Sequence, residues 1–232
     1  MTIFLVIAVT TAALLAGAAW GALAGMGKRV EGFLVALAGG ALIASLMSEL
    51  IEPAADVIAV PIVGLWVLVG AVGFTGLDWG LEKLTSGGGG IGLALAVTFD
   101  GIPENLALGT ALIGAGPLEV AALAGSIFLS NLPEAAGAGR DMVQDGWKKG
   151  RVMALWGGVA AILVAAALAG NLLLRGAPDD TLSAIRCVAA GAVVASLATE
   201  VFPGAFREDS YWTGVAVAIG LVLSLLLSAL GG

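Results

Sequence analysis

The chain has 232 residues, of which 59% are hydrophobic and only 12% are charged, with a formal net charge of −7 and a mean hydropathy of +1.06. A soluble domain carries roughly a quarter charged residues because its surface must be hydrated, so this composition excludes a soluble protein. The sequence has no histidine and a single cysteine, Cys187. This excludes Ser-His and Cys-His catalytic groups, a disulfide framework and CxxC metal sites.

Stretches of about 20 mostly apolar residues, long enough to cross a bilayer, follow one another along the chain. We predict eight transmembrane helices, at approximately 2–25, 31–51, 58–78, 91–113, 118–139, 151–174, 182–203 and 211–230. The connections are short and carry turn residues, so no soluble domain fits between the spans. The expected fold is an all-α polytopic membrane protein that forms one transmembrane domain, 1–232.

The basic residues are distributed unevenly between the two sides of this predicted bundle. The loops after odd-numbered spans hold Lys28, Arg29, Lys83, Arg140, Lys148, Lys149, Arg151 and Arg207. The other side holds only Arg175 and Arg186. Because loops rich in Lys and Arg stay in the cytoplasm, we predict a cell-membrane protein with both termini outside the cytoplasm.

Four of the predicted spans, the second, fourth, fifth and seventh, carry carboxylates at depths where a charge is costly. These residues are Glu49, Asp100, Glu104, Glu134 and Glu200. No lysine or arginine is predicted at the same depth to pair with them. For Glu49 and Glu200, which lie late in their spans, a packing or interfacial role is the alternative. Five acids on four helices predict a cation site inside the bundle.

Two internal repeats connect the same four spans. The segment 99–104, Phe-Asp-Gly-Ile-Pro-Glu, aligns with 129–134, Leu-Ser-Asn-Leu-Pro-Glu, and 38–49 aligns with 189–200 at seven identical positions out of twelve. Each repeat pairs an even-numbered with an odd-numbered span, so the copies run in opposite directions. Inverted repeats around a midplane site are typical of secondary transporters. The alternative is a resemblance that comes only from Ala/Gly-rich composition.

The two Pro-Glu segments place polar groups on shared helix faces. Asp100 lies four residues before Glu104, and Ser130 lies four residues before Glu134. Residues at this spacing are neighbours on one face of a helix. The segments therefore predict that these four side chains point toward a common site.

The prolines of these segments predict additional oxygen ligands. Pro103 and Pro133 have no N–H to donate, so we expect them to break their helices and to free the carbonyls of Phe99 and Leu129. Together with the carboxylates, the serine hydroxyl and the Asn131 amide, these carbonyls form an oxygen-rich ligand set. Such a set suits a divalent cation.

At these residues the sequence resembles the ZIP family of divalent metal transporters. That family's fourth helix typically reads His-Asn-x-Pro-Glu-Gly and its fifth His-x-x-Pro-Glu, where this chain has Asp-Gly-Ile-Pro-Glu-Asn at 100–105 and Ser-Asn-Leu-Pro-Glu at 130–134. The motif histidines are replaced by Asp100 and Ser130. The family's frequent His-rich loop is only Thr-Ser-Gly-Gly-Gly-Gly, at 85–90. The resemblance implies eight spans in a 3+2+3 arrangement with inverted repeats.

The resemblance also implies roles for individual residues. The metal ligands would be Asp100, Glu104, Ser130, Asn131 and Glu134, and the residues of the pathway or its gate would be Ser48, Glu49, Thr199 and Glu200. The substrate would be a divalent ion such as Zn²⁺, Mn²⁺, Fe²⁺ or Cd²⁺, moved toward the cytoplasm, with no permanently bound cofactor. The lipid bilayer is the expected partner, nucleic acid is not, and a homodimer is left open.

A second hypothesis uses the same acids for a different cargo. A proton-coupled or other small-solute transporter would also need carboxylates inside the bundle. An enzyme is not expected, because a serine nucleophile would lack a base. An aspartyl pair needs two buried aspartates, where only Asp100 qualifies.

Overall fold

The computed structural model of the chain describes residues 2–84, 90–116 and 118–231. Within these ranges it is helical and contains no strand, which confirms the all-α prediction. The long helices of the described ranges are α1 (Thr2–Leu23), α2 (Lys28–Ala55), α3 (Val60–Leu84), α4 (Gly90–Ala111), α5 (Ala121–Gln144), α6 (Lys149–Leu174), α7 (Asp179–Glu208) and α8 (Thr213–Gly231). The predicted loop at 85–90 lies, except for Gly90, outside the described residues.

Five of these helices are long and apolar enough to cross a membrane: α1, α2, α3, α6 and α7. α8 contains a shorter apolar segment, Thr213–Ala229. α3 exposes large apolar side chains along its length, among them Leu68 and Val72. In water such a surface would be unfavourable, whereas lipid accommodates it. The helices therefore fit a membrane protein.

The end of α5 differs from the prediction. The sequence suggested a span at 118–139 followed by a polar connection that begins at Arg140, whereas α5 continues to Gln144. Polar residues can extend a helix beyond the apolar segment when one face packs against protein, and Met142 on this last turn is fully buried. Arg140 is therefore a helix residue and not a loop residue.

Contacts between helices establish their relative directions. Gly17 and Gly21 of α1 pack against Leu132 and Ala136 of α5, so residue numbers rise together and the two helices are parallel. In the same way, α4 and α6 are parallel, as Gly101 with Leu163 and Gly109 with Ala167 show.

α2 is antiparallel to two other helices that carry acidic residues, α5 and α7. Glu31 near the start of α2 contacts Arg140 near the end of α5, whereas Glu49 near the end of α2 contacts Leu123 near the start of α5. α2 is also antiparallel to α7, because Lys28 pairs with Glu208 while Gly39 packs on Phe202. α2, α4, α5 and α7 form the centre of the packing, with α4 against both α5 and α7.

Close glycine contacts occur in two matching sets. At the crossings of α2 with α8 and of α7 with α3, the facing pairs are Gly40 with Val217, Gly220 with Leu37, Gly191 with Val67, and Gly70 with Val188. At the crossings of α5 with α1 and of α4 with α6, they are Gly139 with Ala18, Gly21 with Ala136, Gly109 with Ala167, and Gly170 with Leu106. A Cβ at any of these glycines would meet the backbone of the facing helix, so small residues permit the approach. Exchanging α1 with α6, α2 with α7, α3 with α8 and α4 with α5 converts each set of contacts into its counterpart.

Candidate cation site

Glu49 and Glu200, the acids of the longer sequence repeat, lie on locally widened helix turns. α2 and α7 each contain a π-helical turn, Met47–Ile51 and Leu197–Val201, and these turns hold Glu49 and Glu200. A proline follows two residues beyond each turn. Proline has no N–H and crowds the preceding turn, which disfavours regular α-helical pairing at that point. Single π-helical turns are frequent at functional sites.

The two prolines of the Pro-Glu segments do not break their helices, contrary to the expectation from sequence. Pro103 lies inside α4 and Pro133 lies inside α5, and both helices continue on either side. A proline removes one backbone hydrogen bond, and packing of the flanking turns can retain the helix despite this loss. Here Gly101, two residues before Pro103, packs directly against Leu163 of α6.

The polar side chains of the two segments are held inside the protein. Glu104 is only 6% exposed, and Ser130 and Asn131 are each 2% exposed. The Ser130 hydroxyl donates a hydrogen bond of 2.6 Å to the Glu134 carboxylate. The predicted shared face of Ser130 and Glu134 is therefore present as a direct contact.

The carboxylates of α4 and α5 lie near one another. Glu134 is within electrostatic range of Asp100 and of Glu104, and Asp100 is within range of Glu104. One oxygen of Asp100, Oδ1, is buried with no hydrogen-bond partner among the described residues. A buried carboxylate oxygen without a partner is unfavourable and would be satisfied by a cation.

A cavity of about 440 Å³ lies between α2, α4, α5 and α7 and reaches these acids. Asp100, Glu134, Thr199 and Glu200 line it, so two predicted ligands and two predicted pathway residues share one space. Glu104, which is buried, does not line the cavity. The structure thus brings together residues from both sequence repeats.

The two other predicted pathway residues lie elsewhere. Oε1 of Glu49 accepts a hydrogen bond of 2.8 Å from the backbone N–H of Leu123, in the first turn of α5. Ser48 hydrogen-bonds to the Ser228 hydroxyl of α8, at 3.3 Å. Neither residue lines the cavity. Glu49 therefore caps α5 in this conformation, where a carboxylate is favourable near the unpaired N–H groups of a helix.

The acids are not arranged as a completed metal site. Across residues 2–84, 90–116 and 118–231, no group of three or more acidic or cysteine side chains is placed to hold a metal ion. The Ser130 hydroxyl occupies one oxygen of Glu134. A divalent ion that used these carboxylates together would require their side chains to turn toward one another.

Arg140, predicted from the sequence to lie in a connection, is a buried residue near the end of α5. It is only 8% exposed and is ion-paired with Glu31 at 2.6 Å, and Glu31 is not one of the five acids predicted inside the bundle. No local pattern in the sequence indicated this pair, because Glu31 and Arg140 lie 109 positions apart on different helices.

No protein-family model matches this chain, and none of the curated proteins matches it. The resemblance to the ZIP family therefore rests on the Pro-Glu segments and the predicted spans.

Proposed function

We propose that the chain transports divalent metal cations across the cell membrane. The observation that carries the proposal is the 440 Å³ cavity, which reaches Asp100, Glu134 and Glu200 between four helices. Carboxylates inside a membrane bundle are expensive and normally mark a substrate path or a proton relay. The ligand atoms available at the proposed site are all oxygens. Oxygen ligands suit Mn²⁺ and Fe²⁺ and still bind Zn²⁺ and Cd²⁺.

The substrate ion would be held between α4 and α5. Asp100, Glu104 and Glu134 supply its charged ligands, with Ser130 and Asn131 beside them. Thr199 and Glu200 line the route on one side, and Ser48 and Glu49 belong to the route on the other. The near placement of the three carboxylates and the unpartnered oxygen of Asp100 support this assignment.

The proposed architecture is the ZIP-like 3+2+3 arrangement with inverted repeats. The two matching sets of glycine contacts support it, because exchanging α1–α3 with α6–α8, and α4 with α5, relates one set to the other. The helix directions also support it, since α2 and α7 are antiparallel. Inverted repeats let one fold present a central site alternately to the two sides.

The cavity extends toward the end of the bundle that bears Lys28, Arg140 and Arg207. We assign this end to the cytoplasm, because basic residues concentrate there. Both termini then lie outside the cytoplasm, and the structure corresponds to an inward-facing conformation. The substrate would leave the carboxylates toward the cytoplasm through this cavity.

Reconstitution into proteoliposomes tests the proposal directly. Uptake of Mn²⁺, Fe²⁺, Zn²⁺ and Cd²⁺ should be measured with and without a pH gradient, for wild type and for the Glu104→Gln and Glu134→Gln variants. We expect uptake of at least one ion by wild type and its loss in both variants. Glu52→Gln, at an exposed acid outside the cavity, is the matched control and should transport normally.

The same experiment separates the second hypothesis. A pH-sensitive dye inside the vesicles reports proton movement in the absence of divalent ions. Proton flux that is lost in both glutamine variants, without uptake of any divalent ion, would replace the metal proposal with a proton-linked one. Equal metal uptake in wild type and both variants would remove the site from either mechanism.

A further inference from the structure

Arg140 ties three segments together at the end of the cavity. Its Nη1 lies 2.6 Å from Glu31 Oε2 of α2 and 2.8 Å from the carbonyl oxygen of Met26, in the α1–α2 connection. Its Nε lies 2.7 Å from the Asp141 carboxylate. The guanidinium group presents several fixed donors, which lets one side chain hold all three acceptors.

This cluster lies on the route from the acids to the outside of the bundle. Glu31, Arg140 and Asp141 line the same cavity as Glu134. Arg140 follows Glu134 by six residues, which is about 9 Å along the helix. A cation that leaves Glu134 through this cavity meets Glu31 next, and Glu31 is held by Arg140.

The local backbone is shaped for this contact. Gly137, one turn before Arg140, faces the Glu31 carboxylate so closely that a Cβ there would collide with it. The missing side chain lets Glu31 lie flat against α5 and reach the guanidinium. A second ion pair in this region, Lys28 with Glu208, is longer at 3.4 Å and its lysine side chain is 64% exposed, so it lacks this enclosure.

We propose that Arg140 is a gate residue that the departing cation displaces. This inference rests on the proposed function. With Arg140 on Glu31, the guanidinium occupies the carboxylate that a leaving ion would bind. A divalent ion at Glu31 takes the place of the guanidinium. Arg140 then keeps Asp141 as a partner, so its charge is not left uncompensated when it moves aside.

The charged groups around the pair agree with this role. The cavity end also contains Arg207 and Glu208 of α7, which faces α2. Arg140 is the basic group that directly pairs with Glu31, and Glu31 is also within electrostatic range of Asp141 and Glu208. Removal of the guanidinium therefore leaves the Glu31 carboxylate without its paired cation, which favours a divalent ion there.

Thiol labelling tests the gate without relying on transport. Cys187 is buried, and its replacement in Cys187→Ala allows a single reporter, Val35→Cys, on a cavity-lining residue one turn beyond Glu31. The full chain in detergent would be treated with a charged maleimide. We expect labelling about tenfold faster in the Glu31→Gln/Arg140→Gln double variant, because it replaces a buried ion pair by neutral groups. Lys28→Gln, which breaks the exposed pair, should label at the wild-type rate.

Two further labelling measurements test the gate independently of the double variant. Gly137→Ala displaces Glu31 but leaves both charges in place, so it should also speed labelling. This variant provides the test if the double variant fails to insert. Millimolar Mn²⁺ or Zn²⁺ should speed labelling of the Val35→Cys reporter with the ion pair intact. Unchanged rates in both variants overturn the gate, even if wild type transports metal. Faster labelling without metal uptake by any variant retains the gate and rejects the proposed function.

Discussion

Glu134 is the residue at which the polar segments and the cavity meet. It accepts the Ser130 hydrogen bond, lines the cavity and lies within range of Asp100 and Glu104. A carboxylate in such a position carries a free-energy cost of burial, and such residues normally have a functional role. Serine is a neutral ligand and histidine a stronger one, so the residue beside Glu134 should influence which ion is preferred.

Histidine at positions 100 and 130 should change this preference. Replacing Asp100 and Ser130 together by histidine adds imidazole ligands, which favour Zn²⁺ over Mn²⁺. We expect the ratio of Zn²⁺ to Mn²⁺ affinity to rise by at least tenfold, and competition between the two ions for binding to purified protein measures it. Asp56→His, outside the predicted site, is the control. If the wild type already binds Zn²⁺ several orders of magnitude more tightly than Mn²⁺, the oxygen-ligand explanation is contradicted.

α5 is the element on which the candidate site and the proposed gate both depend. It packs against α1, α2, α4 and α8, and it carries Ser130, Glu134, Gly137 and Arg140. Its Pro133 does not interrupt it, so these residues keep a fixed spacing along one rigid support. A change in the position of α5 would therefore move the proposed ligands and the proposed gate residue together.

The glycine crossings provide a prediction at the scale of helix pairs. In α3, Gly70 faces the Val188 backbone, whereas Gly73 has open space around it. Gly70→Ala should destabilise the fold by about 1–3 kcal/mol because the helices must separate. Gly73→Ala should be neutral or stabilising by up to about 1 kcal/mol, since alanine favours the helix.

Unfolding of the purified protein by SDS in mixed micelles compares the two alanine variants. Equal stability of both would show that the close crossing of α3 and α7 is not needed. Gly191→Ala, on the facing helix, should reproduce the loss at Gly70, because its Cβ would meet the Val67 backbone.

For the whole molecule, the matching crossings indicate one packing scheme used twice. α2 contacts α8 as α7 contacts α3, and α5 contacts α1 as α4 contacts α6. The cavity lies where the two sets meet, between α2, α4, α5 and α7. Its acids include Glu31 and Asp100 from the first half of the chain and Glu134 and Glu200 from the second, so neither half alone contains the candidate site.

The orientation of this assembly in the membrane is a separate prediction. Both termini should lie outside the cytoplasm, because basic residues concentrate in the loops after odd-numbered spans. A cysteine placed in a C-terminal tag, in the Cys187→Ala background, should react in intact cells with a membrane-impermeant reagent. Reaction only after lysis would reverse the topology and would place the cavity mouth on the outer side.

The sequence by itself determined the helical class, the lipid-facing composition and the set of acids. Apolar length and charge content do this, because a buried carboxylate is visible as an exception in an apolar run. It also identified the pairing of Ser130 with Glu134, since residues four apart in a helix must be neighbours. These are local properties of a helix and need no knowledge of its partners.

Only the tertiary structure decided which of these groups meet. It separates Glu49 from Glu200, although their sequence surroundings match, because Glu49 caps α5 while Glu200 faces the cavity. It joins Glu31 to Arg140 across 109 positions of sequence, a contact that depends on helix packing. It also keeps the helices intact at Pro103 and Pro133, since flanking turns packed against neighbours can offset the hydrogen bond that each proline removes.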